Sequence, residues 1–373
     1  IIFTENIKQA SVICTLDILD GVNLFETFKL SGGEKVEIQL SQNTPLGRNV
    51  LNRTFYVSDI KNFKYLFYFY GRLKIINPVM IIEQILTNCL SQMSYFIESN
   101  GEAAVIDPSR ETNHFIEKAK KSNSEIKFIF QTHFHADFVS GHLTLSRKTK
   151  SPIVYGPNAD PKYDAIIASD GDIFEIGKIK IKVIHTPGHT LESTSFLLID
   201  KNNNQHSIFT GDTLFLGDVG IPDVAQRYKG VSKEDLAGLL YDSINNKIKP
   251  LDDNITVYPG HGAGSACGKS MMKETVDSLS NQKIVNYSLN GKLKKEEFVQ
   301  ELTHNLPDPP AYFPSNVKLN QEGYSDLDQI IEKSLKKIDP LNFKELIKIV
   351  PNGLIQFEIN FIFSELFMLP EYY

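Results

Sequence analysis

The chain has 373 residues and a formal net charge of −6, with 41% hydrophobic and 23% charged residues. At ~150 residues per domain this length suggests roughly two domains, and the apolar share supports a folded core rather than wholesale disorder. The mild acidity argues against nonspecific nucleic-acid binding, which rests on Lys and Arg neutralising phosphates. Cys14, Cys89 and Cys267 are too few and too scattered for a disulfide framework and fit a reducing compartment. No apolar run reaches the ~18 residues of a membrane span, and the N-terminus has no charged-then-apolar signal pattern.

Residues 1–79 show no clean helical or strand period, hold an aromatic cluster at Phe67–Tyr70, and precede the first methionine, Met80. They read as an extension upstream of a working protein that starts near Met80; peptides from this segment in a native digest would refute that reading. From Met80 onward, short apolar strands alternate with amphipathic helices. A hairpin is expected from Ser94–Glu98 and Ala103–Ile106, closed by Ser99-Asn100-Gly101. A charged helix follows at Glu111–Lys121, with strands at Lys127–Gln131 and Pro152–Tyr155. Ile173–Ile176 and Ile179–His185 pair through Gly177-Lys178, and strands recur at Ser195–Ile199, Ser207–Thr210 and Ile255–Tyr258. Ser232, with Asp235 three residues on, opens a helix to Ile248 through a capping box. Further helices are expected near 269–281, 294–304 and 325–337. The alternation makes the fold α/β, or a mixed-sheet sandwich covered by helices. From Asn352 the chain stays apolar to Tyr373, a pattern expected of a truncation or frame error.

The nine histidines carry most of the chemistry. His133-Phe134-His135-Ala136-Asp137 follows one strand, and His185-Thr186-Pro187-Gly188-His189 follows another. Gly211-Asp212-Thr213 and Pro259-Gly260-His261-Gly262 follow two more. Four strand ends thus deliver imidazoles and carboxylates into loops, where α/β folds build sites, and that mixture suits Zn or Fe. His114, His206 and His304 read as ordinary histidines, and His142 and His185 as structural. The set His133, His135, Asp137, His189, Asp212 and His261 reads as a metal site. Two ligand sets stay open from the residues alone. His133, His135 and His189 would suit Zn; His133, His189 and Asp212 would form the two-His, one-carboxylate triad of non-haem Fe(II) oxygenases.

The motifs THFHAD (132–137), TPGHT (186–190), TGDT (210–213) and PGHG (259–262), in that order, resemble the metallo-β-lactamase superfamily across residues 80–323. That resemblance implies a four-layer αββα sandwich with a metal at one edge of its two sheets. Most hydrolases of the superfamily carry a histidine directly after the motif Asp, for a second metal; here Phe138 stands there. Phenylalanine offers no donor, so a mononuclear centre is expected. The runs at 89–111, 209–220, 259–269 and 305–323 resemble the persulfide dioxygenase (sulfur dioxygenase) branch. In that branch one Fe(II) per chain is held by two His and one Asp, which fall here on His133, His189 and Asp212; Zn is the alternative. His135, Asp137 and His261 then orient ligands and substrate.

The implied reaction takes a low-molecular-weight persulfide such as glutathione persulfide, with O₂ and water, to sulfite and thiol. The alternative is a Zn-dependent thioester hydrolase of glyoxalase II type. The resemblance implies a cytoplasmic protein, or a mitochondrial one in a eukaryote, with neither nucleic acid nor membrane as partner; a homodimer stays open. The branch's glutathione-holding Arg is missing, since Ile221 follows Gly220, and Arg227 is the nearest stand-in. Cys267 reads as a small residue packed at a helix start rather than a redox thiol. Lys269 beside it has contact with an anionic substrate as its functional alternative. Residues 324–373 resemble the linker and truncated opening of a rhodanese-like region, though no cysteine follows Cys267.

Overall fold

The computed structural model describes residues 80–330, apart from 223–226, 307 and 328, and the backbone of three strands nearer the N-terminus. Chain contacts divide it into Ile1–Ile81 and Ile82–Tyr373. The first unit contains β1 (Lys35–Thr44), β2 (Gly47–Tyr56) and β3 (Arg72–Ile76), an antiparallel sheet of order β2-β1-β3. These strands form although residues 1–79 show no clean strand period. The aromatic cluster at 67–70 and the apolar terminus at 352–373 lie outside the described residues.

The second unit holds two six-stranded sheets. The first has the order β4 (Ile81–Thr87), β5 (Gln92–Ser99), β6 (Glu102–Ile106), β7 (Glu125–Phe130), β8 (Ile153–Tyr155), β9 (Ile166–Ile167). The hairpin β5–β6 turns on Asn100 and Gly101, both at positive φ (53° and 85°), as a two-residue turn requires. From β6 to β9 the strands run parallel, so they need crossovers. Helices α1 (Asn113–Lys121) and α2 (His142–Thr149) supply the first two. The second sheet has the order β10 (Ile173–Ile176), β11 (Ile179–His185), β12 (Thr194–Ile199), β13 (Gln205–Gly211), β14 (Thr256–Pro259), β15 (Asp277–Ser278). Its members are antiparallel except β13–β14, which are joined through α3 (Lys233–Ser243) and a π-helical turn, Ile244–Ile248. Ser232 and Asp235 form the expected capping box.

Strand alternation divides each sheet's side chains between two apolar layers. Phe128 and Phe130 of β7 meet Phe174 and Phe196 of the other sheet, and Tyr95 meets Phe209 and Tyr258. The opposite face of the first sheet, with Phe96, Val105 and Ile129, packs with Phe115 of α1, Leu143 of α2 and Phe313 of α6 (Phe313–Glu322). The outer face of the second sheet, with Ile184, Leu197 and Val257, packs with Leu240 of α3, Leu279 of α4 (Leu279–Val285) and Phe298 of α5 (Lys295–Thr303). Helix, sheet, sheet, helix: this is the expected four-layer sandwich.

One helix expectation needs correction. The helix placed at 269–281 forms only at Leu279–Val285, because residues 269–276 run as an irregular segment whose backbone is held elsewhere and 277–278 pair as β15. Lys269 N and Ser270 N both donate to Asp218 Oδ2, and Met272 N donates to Leu216 O. A helix forms at Phe313–Glu322, with Pro314 in its first turn, and the described part of 325–337 is helical at residues 327, 329 and 330; most of that range lies outside the described residues.

Candidate metal centre

The loops after β7, β11, β13 and β14 gather at one end of the sandwich. Thr194 N donates to Thr132 O across the two sheets, and Gly260 N to Gly211 O. His133, His135, Asp137, His189, Asp212 and His261 are all buried there.

His133 and His189 are each oriented by a partner on the nitrogen that faces away from the donor cluster. Thr132 Oγ1 donates its single proton to Asp107 Oδ2 at 2.7 Å, so its contact with His133 Nδ1 at 2.9 Å is a bond donated by the imidazole. His189 Nδ1 donates to Ile221 O at 2.7 Å. Both rings therefore present Nε2 as a lone pair, the arrangement that outer hydrogen bonds impose on metal-binding histidines. Burial first, then the neighbouring His135, hold His133 well below the ordinary histidine range, so it is neutral and ready to ligate.

Asp212 Oδ2 lies 3.6 Å from His189 Nε2 and 3.9 Å from His133 Nε2. It is buried and has no hydrogen-bond partner, while Oδ1 accepts from His261 Nδ1 at 2.8 Å. Burial works to raise this carboxyl's pKa, but His261, then His133 and His189, outweigh it and keep the group ionised far below the usual range. An anionic oxygen without a partner costs several kcal/mol in a dry interior unless a cation meets it. The donor chemistry and this orphaned oxygen fit a divalent metal ion.

His261 bridges two carboxylates, with Nε2 donating to Asp137 Oδ2 at 2.8 Å. Burial opposes its charge, but Asp212 and Asp137 prevail and raise its pKa well above the ordinary value. His135 stands apart from the His133, His189 and Asp212 group: its Nε2 faces Asp107 Oδ1 at 3.2 Å, and burial notwithstanding Asp107 raises its pKa. The three-histidine set is thus not the one whose donor atoms converge. Phe138 is buried with its ring centroid 4.4 Å from that of His135.

Close backbone approach sets the second-sheet donors. A Cβ on Gly188 (φ +149°) would fall 2.3 Å from Leu240 Cα, and one on Gly220 would fall 2.0 Å from Asp212 O and 3.1 Å from His189 Nδ1. Glycine is what lets these loops pack against α3 and against Asp212.

The other singled-out residues are placed as follows. Arg227 Nη2 pairs with buried Glu192 at 3.2 Å, and Tyr228 Oη donates to the same carboxylate at 2.6 Å. Lys269 Nζ donates to Glu301 O and His304 O, away from the metal loops. Cys267 is buried as expected, but it lies in the irregular segment, and its thiol groups with Asp137 and His261. His142 is structural, its Nε2 2.7 Å from Tyr163 Oη, and His185 Nε2 donates to Leu191 O.

Two contributors escaped the sequence reading. Asp107 ends β6 just as the ligands end their strands, a signal that was present. Asn320 of α6 donates to His135 O and Phe138 O at 2.8 Å and accepts from Ser140 N at 2.9 Å. Nothing local to it points to the metal loop, some 180 residues away.

A family model described as the metallo-beta-lactamase superfamily matches residues 87–261. A crystal structure of a metallo-beta-lactamase from Staphylococcus aureus superposes with a TM-score of 0.62 at 34% identity, covering 67% of this chain and 74% of that one. The chain belongs to the metallo-beta-lactamase superfamily. ETHE1 from Myxococcus xanthus superposes with a TM-score of 0.53 at 28% identity, covering 64% of this chain and 99% of that one. Among curated relatives, the hydroxyacylglutathione hydrolase of Dictyostelium discoideum is 33% identical over 49% of this chain. The chain spans 66% of that relative's length. The same name recurs in Arabidopsis thaliana and Pelagibacter ubique. Among the described residues no helix is long and apolar enough to cross a membrane.

Proposed function

We propose that this superfamily enzyme is a mononuclear non-haem iron persulfide dioxygenase. The observation that carries the reading is the donor set: two imidazole Nε2 atoms and one partnerless carboxylate oxygen whose ligand atoms lie within 4.8 Å of one another. Two neutral nitrogens and one anion on one side of an ion suit Fe(II) with coordination positions left for O₂ and a sulfur ligand. His133, His189 and Asp212 would hold the metal, which when bound supplies O₂ activation beside the substrate sulfur. Phe138, which brings no donor where hydrolases of this superfamily carry a second-metal histidine, and the likeness to ETHE1 support this branch.

The chain's own groups do the positioning. Thr132 and the Ile221 carbonyl fix the two rings, and His261 holds Asp212 so that only Oδ2 faces the metal position. Buried Phe134, Phe138 and Phe215 surround the loops with apolar surface that keeps water out. The substrate would be a small thiol persulfide, glutathione persulfide among them, oxidised with O₂ and water to sulfite and thiol.

A second reading, a zinc-dependent thioester hydrolase, is favoured by the names of the curated relatives. One experiment separates the two. The full chain is purified anaerobically, its iron and zinc are counted, and O₂ uptake on adding glutathione persulfide is compared with cleavage of an acyl-glutathione thioester. About one iron per chain with persulfide-dependent O₂ uptake is expected. Thioester cleavage on zinc, without O₂ uptake, overturns the iron reading.

A further inference from the structure

The metal loop, 131–140, is anchored at its start by Asp107, which takes Thr132 N and Oγ1. Its far end meets α2 at Gly141, where local bonding falls short. Gly141 is the N-cap of α2 and has no side chain to accept a first-turn N–H. None would fit, because a Cβ there would fall 2.2 Å from Ser109 O. Leu143 N donates instead to Tyr324 Oη at 3.0 Å, from 181 residues along the chain, and the same hydroxyl donates to Ser140 O. We propose that Tyr324 is a positioning residue for the metal centre: its hydroxyl closes the far end of the metal loop, and the strap 324–326 that carries it sets how tightly the loop holds an ion.

Three observations carry it. The first is that one buried oxygen serves both groups. Ser140, Leu143 and Tyr324 are all buried, so solvent cannot replace the hydroxyl at either partner. Burial outweighs the nearby Arg110 and lifts the phenol to about 12, so its proton stays available to Ser140 O.

The second is spacing. Asn316, Asn320 and Tyr324 recur every fourth residue, and each binds the backbone at or beside the metal residues. Asn316 Nδ2 donates to Ala136 O at 3.0 Å, and Asn320 Nδ2 to His135 O and Phe138 O at 2.8 Å. Gly323, at φ +101°, ends α6, and Tyr324 continues the series beyond the helix.

The third is what backs the strap. Arg110 is buried with its Cζ 3.9 Å from the Tyr324 ring centroid, and its Nη2 donates to Ser325 O at 2.8 Å. Its Nε and Nη1 have no hydrogen-bond partner, so this cation leans on the aromatic face. Arg147 Nη1 donates to Tyr324 O at 3.2 Å and to Asp326 Oδ1 at 2.8 Å, and Thr144 Oγ1 donates to the same carboxylate oxygen at 2.7 Å. The loop after β6 thus grips Thr132 through Asp107 and the strap through Arg110.

The inference rests on His133, His189 and Asp212 holding the metal but not on the reaction run there, and its test reads metal release and backbone exchange. The full chain is loaded with Co²⁺. Tyr324→Phe keeps the ring beside Arg110 and removes only the oxygen. Co²⁺ should then pass to a chelator ~10-fold faster, the worth of about one buried hydrogen bond, and its visible d–d band should change shape. Amide exchange of 131–145 should rise, with and without the metal, while the amides of β11, β12 and β13 stay as protected as before. Ser325→Ala, at an exposed side chain whose residue bonds through its carbonyl, should match the unaltered chain. Unchanged release and loop exchange in Tyr324→Phe overturn the proposal. So does exchange that rises evenly across the fold, which would make Tyr324 a general support. Co²⁺ retained in His189→Ala faults the metal ligands instead, and exchange of 131–145 in the metal-free chain then still decides for or against the strap.

Discussion

The two halves of the sandwich reach the same pocket by different means. The first sheet delivers His133, His135 and Asp137 on one continuous loop, 131–140, and that loop is stitched by side chains. Asp107 takes Thr132 N and Oγ1, and Asn320 takes three backbone groups between His135 and Ser140. The second sheet delivers His189, Asp212 and His261 singly from three strand ends, and glycine-permitted backbone approach sets them. A long loop has many backbone groups to satisfy and needs long-range polar side chains; a short strand-end turn needs space. Damage to the first half should therefore act through lost hydrogen bonds, and damage to the second through steric displacement.

Four outcomes would break or sharpen that contrast, beginning with the largest. Asp212→Ala removes the anionic donor that the two halves share, and iron binding should weaken by more than ~100-fold. Metal content after dialysis reads this, and retained iron would refute the ligand assignment. Gly188→Ala puts a methyl group against Leu240 at positive φ, and should cost about 3–5 kcal/mol while moving His189. Denaturant unfolding measures it; a loss below ~1 kcal/mol would show that the second half yields rather than resists. Asn320→Ala leaves Ser140 N and two carbonyls of the metal loop without their partner, and should cost about 2–3 kcal/mol. Its loosened loop should also bind metal less tightly, whereas an unaffected metal affinity would mean that Asp107 alone suffices.

The smallest effect concerns pH. Burial first, then His135, Arg110 and Arg147, hold His142 well below the ordinary value of 6.5. An unfolded chain takes up that proton near 6.5, so below that pH the unfolded state binds more protons and stability falls with falling pH. The slope from this one group is about 1.4 kcal/mol per pH unit. His142→Gln should flatten the acid limb of stability by that amount while keeping a polar contact to Tyr163. An unchanged limb would place the acid sensitivity elsewhere.

What the sequence determined by itself is local. Apolar runs ending in His- and Asp-bearing loops marked the strands, the hairpin at Asn100-Gly101 and the capped helix at Ser232, because each signal lies within a few residues of the feature it specifies. The same logic singled out six His and Asp residues that the fold buries in the loops at one end of the sandwich. Tertiary structure decided which donor atoms converge, because convergence depends on the packing of two sheets rather than on spacing. It turned His135 toward Asp107, set Arg227 against Glu192, and brought Cys267 beside Asp137 from an irregular segment that reads as a helix. Asn320 belongs to that class too: its partners lie far off along the chain, and no local pattern encodes a contact that only the folded core creates.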